Sequence, residues 1–205
     1  MTHEGESLRR ARVERRTKET EIVLALDLDR PAAPTIDVPD GFFAHMLEAL
    51  AVHGGLGLEV KATGDVHVDL HHTVEDTGIV LGQALRQALG ERRGIVRFAH
   101  AYAPLDEALA RAVVDVSGRG FFVYQAPPEI ASSWVKPDFP VSLVRDFFQA
   151  FADQARLTLH LDLLAAANGH HAVEAAFKAV AVALRRAVAV RADDAAVPST
   201  KGTLT

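Results

Sequence analysis

The chain has 205 residues, 22 Lys and Arg against 27 Asp and Glu for a formal charge of −5, and 49% hydrophobic residues. That is enough apolar material for one buried core and too little length for a multidomain assembly; the acidic balance excludes a nonspecific nucleic-acid binder, which needs a basic face against phosphates. Cysteine is absent, which excludes disulfide frameworks, thiolate zinc sites and iron–sulfur clusters.

In chain order, the segment from Met1 to Arg16 is polar and charged with no apolar signal core, and no apolar run approaches a membrane span. A cytoplasmic protein without membrane contact is therefore expected. Glu21 to Leu28 alternates in a way that predicts a strand with one buried face. Asp29 to Gly41, with Pro31, Pro34 and Pro39, reads as a loop. Phe42, Phe43, Met46, Leu47 and Leu50 then follow helical spacing, and Leu58 to Ala62 alternates as a strand. Gly64-Asp65 reads as a hairpin turn into a further strand, Val66 to Val68. Ile79, Leu81, Ala84, Leu85 and Leu89 mark a second helix. Arg111 to Val116 alternates again, and Gln125 to Pro140 reads as a proline-rich loop. Val144, Phe147, Phe148 and Phe151 mark a helix and Leu157 to Leu161 a strand; Phe177, Val180, Ala181, Leu184 and Val188 mark another helix before a tail from Ala195 to Thr205.

The order repeats. His71-His72-Thr73-Val74-Glu75-Asp76 returns 99 positions later as His170-His171-Ala172-Val173-Glu174-Ala175, and each copy opens a helix preceded by a helix and a strand. The expected fold is α+β, two repeated β-α halves with antiparallel or mixed sheets and helices packed on one face. The halves would span 1–92 and 93–205 within one compact unit, the second carrying the tail.

At a helix start, His-His-x-x-Glu places imidazoles and a carboxylate three and four residues apart, on neighbouring positions of one face. Two adjacent histidines cannot both enter a core. Nitrogen and carboxylate donors without sulfur suit Mn, Fe, Co or Zn, and spacing does not choose among them. Solvated helix starts would explain one such motif; two in matched positions favour a shared pair of metals held by six donors.

Several segments carry a closer likeness: Gly41 to Leu47 (GFFAHML), Thr63-Gly64-Asp65, His71 to Asp76 (HHTVED), Leu81 to Leu85 (LGQAL), Ser117-Gly118-Arg119, His170-His171-x-x-Glu174 with Phe177-Lys178-Ala179, and Pro198 to Gly202 (PSTKG). In this order and spacing, from about Arg16 to Leu204, they resemble imidazoleglycerol-phosphate dehydratases of histidine biosynthesis. The resemblance implies a manganese-dependent lyase assembled from trimers into a homo-oligomer of 24 subunits, with active sites at subunit contacts. It implies two Mn2+ per active site, one held by His45, His72, His170 and Glu174, the other by His71, Glu75 and His171 with Asp146, where the family often has His. Glu19 matches the family's acid/base glutamate. His53, Arg97, Arg119, Lys178, Ser199, Thr200 and Lys201 match positions that contact substrate, mainly around its phosphate, as do the metal-binding residues around its ring.

The implied reaction turns imidazoleglycerol phosphate into imidazole-acetol phosphate. No carbonyl acidifies the carbon that loses its proton, so the ring must supply electrons. Bound to two metals as imidazolate, it would expel the neighbouring hydroxide, while Glu19 serves as acid/base. Arg forks, the Lys charge and hydroxyls suit phosphate capture, and the tail is expected to order over it. Ala44 and Leu70 stand where the family often has Asp, which bears on the orientation of the metal-binding imidazoles. An alternative of another class is a catalytically degenerate shell protein stapled by the same metals. An RNA-binding module is the third, opposed by the acidic charge.

Overall fold

A computed structural model describes residues 9–191 and 196–204; the rest of the polar amino-terminal stretch and of the tail lies outside the described residues. The first half contains β1 (Arg10–Arg16), β2 (Thr20–Asp27), β3 (Thr35–Asp37), α1 (Gly41–Gly54), β4 (Gly57–Gly64) and α2 (His71–Leu89). The second contains β5 (Phe98–Leu105), β6 (Ala108–Asp115), β7 (Phe121–Gln125), α3 (Pro128–Ala131), β8 (Trp134–Lys136), β9 (Phe139–Pro140), α4 (Ser142–Ala155), β10 (Thr158–Ala165) and α5 (Gly169–Ala187). Each half builds one four-stranded sheet of the same topology, β1-β2-β4-β3 and β5-β6-β10-β7, while β8 and β9 pair separately.

Both sheets are mixed. A hairpin makes one antiparallel pair in each half, β2–β4 and β6–β10 make the other, and β3 on β4 and β7 on β10 run parallel. The intervening helix, α1 or α4, is the crossover that a parallel pair requires. Register places the inward set together: Ile22, Leu24 and Leu26 face Ala62, Val60 and Leu58 across β2 and β4, and all six are buried. Slipping by one residue would turn every one of these side chains to solvent.

The helices pair across the halves. α1 packs on α5 and α2 on α4, while α2 covers β1 and β2, and α5 covers β5 and β6. Phe43 of α1, Phe147 and Phe148 of α4, and Phe177 of α5 stack at centroid distances from 4.8 to 5.8 Å, so one aromatic core is drawn from both repeats. Gly78 and Gly82 let α2 approach α4 at backbone range: a Cβ at these positions would lie 2.5 Å from the Phe147 carbonyl oxygen and 2.6 Å from that of Phe151.

Some elements differ from the sequence expectation. No strand forms at Val66 to Val68; β4 runs on to Gly64 and a turn leads directly into α2. Both valines are exposed, so a strand there would gain no buried face. The loop from Asp29 to Gly41 holds β3, and that from Gln125 to Pro140 holds α3, β8 and β9. β1 and β5 escape notice because their inward residues are a lone valine, Val13, or alanines, Ala101 and Ala103, which make no apolar stripe. Among the described residues, no helix is long and apolar enough to cross a membrane.

The close approach of α2 and α4 generates a direct expectation. Gly78→Ala destabilises the protein by about 1–3 kcal/mol through overpacking, seen as a lower urea midpoint at unchanged slope.

Candidate active site

Both His-His motifs sit on capped helix starts. The Asp69 side chain accepts from the His71 amide at 2.8 Å, and the Asn168 side chain accepts from the His170 and His171 amides at 2.8 and 3.3 Å. Each Asx residue stands two places before its first histidine, satisfying amides that the helix leaves without partners. Leu70, at the N-cap of α2, is buried and has no side chain to accept, and Asp69 before it takes the His71 amide.

The packing of α1 on α5 creates the tightest donor cluster. His45 Nε2 and His170 Nε2 approach Glu174 Oε2 to 3.4 and 3.3 Å, and among the described residues this is the trio whose ligand atoms all fall within 4.8 Å. Neighbouring ligands on an octahedral ion with bonds near 2.1 Å stand about 3 Å apart, so the trio fits a divalent cation. The edge of Phe42 lies against His170, with ring centroids 4.9 Å apart, and braces the imidazole. Lys178 Nζ holds the second Glu174 oxygen at 2.6 Å. Burial works against ionisation of Glu174, but the Lys178 hydrogen bond and the charges of Lys178 and His45 outweigh it and hold the carboxyl below its usual range. His53, nearer the end of α1, is lowered by burial and then by the charge of Lys178.

The packing of α2 on α4 brings Asp146 beside His71, without a second converging trio among the described residues. His71 Nε2 lies 3.8 Å from Glu75, and its Nδ1 lies 3.5 Å from Asp146, so the two carboxylates face opposite ring nitrogens and Asp146 stands as a partner of the imidazole. The remaining two histidines are held elsewhere. His72 Nδ1 lies 3.0 Å from Asp65 and 4.0 Å from Glu19, and His171 Nδ1 lies 2.8 Å from Glu107. Asp65 raises the basicity of His72, and Glu107 that of His171, while the His171 hydrogen bond pulls Glu107 down to about 2. Within one chain, then, His45, His170 and Glu174 assemble without His72.

Arg97 has φ +82° and is committed to Asp115 at 2.8 Å and to the Pro198 carbonyl at 2.7 Å. The tail is accordingly anchored: Pro198 rests on Arg97, Ala196 accepts from the Gly94 amide, and Leu204 is buried with its carbonyl on Arg92. Ser199, Thr200 and Lys201 form the turn between these anchors, with Thr200 and Lys201 exposed. Arg119 is exposed in the loop after β6.

Residues 39–184 match the family model described as imidazoleglycerol-phosphate dehydratase. The curated imidazoleglycerol-phosphate dehydratase of Azorhizobium caulinodans is 50% identical over 96% of this chain and 99% of its own, and that of Gluconobacter oxydans is 52% identical over 96% and 98%. The chain belongs to the imidazoleglycerol-phosphate dehydratase family. Solved structures agree: the dehydratase of Staphylococcus aureus superposes with a TM-score of 0.78 at 36% identity over 88% of this chain and 99% of that one. The Pyrococcus furiosus enzyme does so with 0.78 at 37% over 94% and 100%. The chain is thus a lyase of the dehydratase type, and its repeated β-α fold is that of the family.

Three carboxylates of this dehydratase-family chain were not singled out from its sequence. Asp65 and Glu107 sit on Nδ1 of His72 and His171, and Asp76 is buried on α2. Asp76 accepts from Arg15 Nε at 2.9 Å and from the Thr20 hydroxyl, which pins the hairpin bearing Glu19 onto α2. Asp65 reads as turn chemistry, and the other two fall outside the His-His-x-x-Glu pattern. One sign was available for Glu107: like Glu19, it stands immediately before the second strand of its hairpin.

A ligating imidazole must be neutral at the nitrogen facing the ion. His72 and His171 have pKa values raised above 6.5 by Asp65 and Glu107, so if either ligates an ion, protons would compete with the ion beyond that pH. Divalent affinity should fall as pH drops and reach its full value only on the alkaline side of 6.5. Mn2+ titrations followed by EPR across about pH 6 to 8.5 check this; a flat profile contradicts it.

Proposed function

We propose that this chain dehydrates imidazoleglycerol phosphate to imidazole-acetol phosphate in histidine biosynthesis. The observation that carries the reading is the His45, His170 and Glu174 cluster, assembled from both repeats in a member of this family. These three residues would hold one Mn2+ together with His72, and His71 through Nε2 and Glu75 would hold another together with His171, with Asp146 on the opposite ring nitrogen of His71 reaching that ion only if the ring turned. Because His72 does not join the converging His45, His170 and Glu174 within one chain, and His171 is turned to Glu107, a second copy would supply the missing histidines at a subunit contact. This is consistent with a homo-oligomer built from trimers, extending to 24 subunits. When bound, the two ions would supply Lewis acidity to the substrate ring.

Glu19 is the acid/base. Its carboxylate is half exposed and 4.0 Å from His72, on a hairpin pinned by Asp76, so it borders the space that the ring would enter. Glu19 takes the proton from the second side-chain carbon, whose own hydroxyl becomes the ketone oxygen, and the C–H electron pair forms the C=C bond. The C–O bond next to the ring breaks with its electron pair, and the hydroxide leaves as water after gaining a proton. The resulting enol gains a proton at the ring-adjacent carbon and becomes the ketone. Arg97, Arg119, Lys178, Ser199, Thr200 and Lys201 hold the phosphate, and His53 lines the substrate beside them. Binding at this remote group orients the ring.

Glu19→Gln should lose about 10²–10⁴-fold in turnover while binding Mn2+ normally; wild-type turnover would remove Glu19 from this role. A chelator should abolish activity and added Mn2+ restore it, and a protein that takes up Mn2+ without turning over substrate would instead be a metal-stapled shell. Sharing between copies has its own test. His45→Ala and His72→Ala should each be inactive, yet mixed oligomers of the two should regain up to about a quarter of wild-type activity, since sites drawing an intact face from each variant are complete. Absence of recovery in verified mixed oligomers would place each site within one chain.

A further inference from the structure

The repeat extends beyond the His-His motifs to the hairpin turns. Glu19 immediately precedes β2, and Glu107 immediately precedes β6, so Glu107 is the second-half counterpart of the proposed acid/base. Their surroundings have diverged. In the first half, Asp65 takes His72 Nδ1 at 3.0 Å, and Glu19 stays 4.0 Å away with its carboxylate half exposed. The position 99 residues after Asp65 is Leu164, exposed beside an irregularity in β10, and it has no carboxylate to offer.

Glu107 takes that place. Its Oε2 lies 2.8 Å from His171 Nδ1, and its Oε1 accepts from the amides of Asn168 at 2.9 Å and Ala167 at 3.3 Å. One carboxylate therefore joins the β5–β6 turn, the cap of α5 and the imidazole. An ionised carboxylate only accepts, so Nδ1 must carry the hydrogen and Nε2 keeps its lone pair. Asp106 adds a second carboxylate 4.0 Å from Nε2.

We propose that Glu107 is a positioning residue, one that fixes the tautomer and ring orientation of His171 so that Nε2 faces a metal ion. It is not a second acid/base, because both oxygens are already occupied. The inference rests on the reading of His171 as a metal ligand. Outer partners of this kind typically govern 10- to 100-fold in metal affinity, by about that factor when removed.

The discriminating variant is Glu107→Gln in the full-length protein. A glutamine oxygen can still accept from the Asn168 and Ala167 amides, but its NH2 then faces Nδ1 and favours the tautomer with hydrogen on Nε2. Expected are a metal-free melting temperature close to wild type and Mn2+ affinity about 10- to 100-fold weaker by EPR titration. In a His171→Ala background, adding Glu107→Gln should cost almost nothing further, because the two residues act as a unit. Unchanged Mn2+ affinity in Glu107→Gln, or losses that multiply in the double variant, would overturn the assignment. Glu107→Asp, which keeps the charge but withdraws it by one methylene, gives the same cycle in a variant closer to the native turn. Wild-type protein that binds no Mn2+ would overturn the metal reading itself, a result distinct from Glu107 variants matching a wild type that does bind.

Discussion

Everything at the candidate site depends on helices of one repeat packing against helices of the other. A His-His-x-x-Glu motif alone spans one helix start and offers few donors in one direction. His45 reaches Glu174 because α1 lies on α5, and Asp146 reaches His71 because α4 lies on α2. The second contact is close because Gly78 and Gly82 replace side chains with backbone approach. The shared phenylalanine core then fixes the angle between the elements. Close-packed interiors of this kind resist the shifts that would pull these side chains apart.

The histidines are only part of the design. Each is set by a carboxylate or an aromatic edge from a different element: Asp65 on His72, Glu107 on His171, Asp146 on His71, and Phe42 on His170. Glu174 faces two imidazoles with one oxygen and Lys178 with the other, so its charge is maintained despite being largely buried. The result is a set of side chains held in place by their neighbours, which would limit the rearrangement that binding of a ligand requires.

Much of this was legible in the residues. The 99-residue repeat exposes the two halves, and strict alternation reveals β2, while 3.6-residue spacing reveals the four long helices. The motif histidines and glutamates could be named because two copies make chance a poor explanation. Strands such as β5 stayed hidden because alanine faces inward and aromatic residues outward, inverting the expected pattern. Val66 to Val68 misled in the opposite sense, since β-branched residues after a glycine turn look like a strand even when no surface covers them. Asp65, Asp76 and Glu107 carry no local signature, because what they hold lies on another element.

The short stretch joining the two halves has a further consequence. Arg92, Gly94 and Arg97 all adopt positive φ there, and each binds a backbone carbonyl of the tail: Leu204, Ala196 and Pro198 in turn. The connector and the carboxyl end thus form a single clasp, closed by the buried Leu204 side chain. Exchanging Leu204 for a charged residue would open that clasp and loosen the join between the repeats.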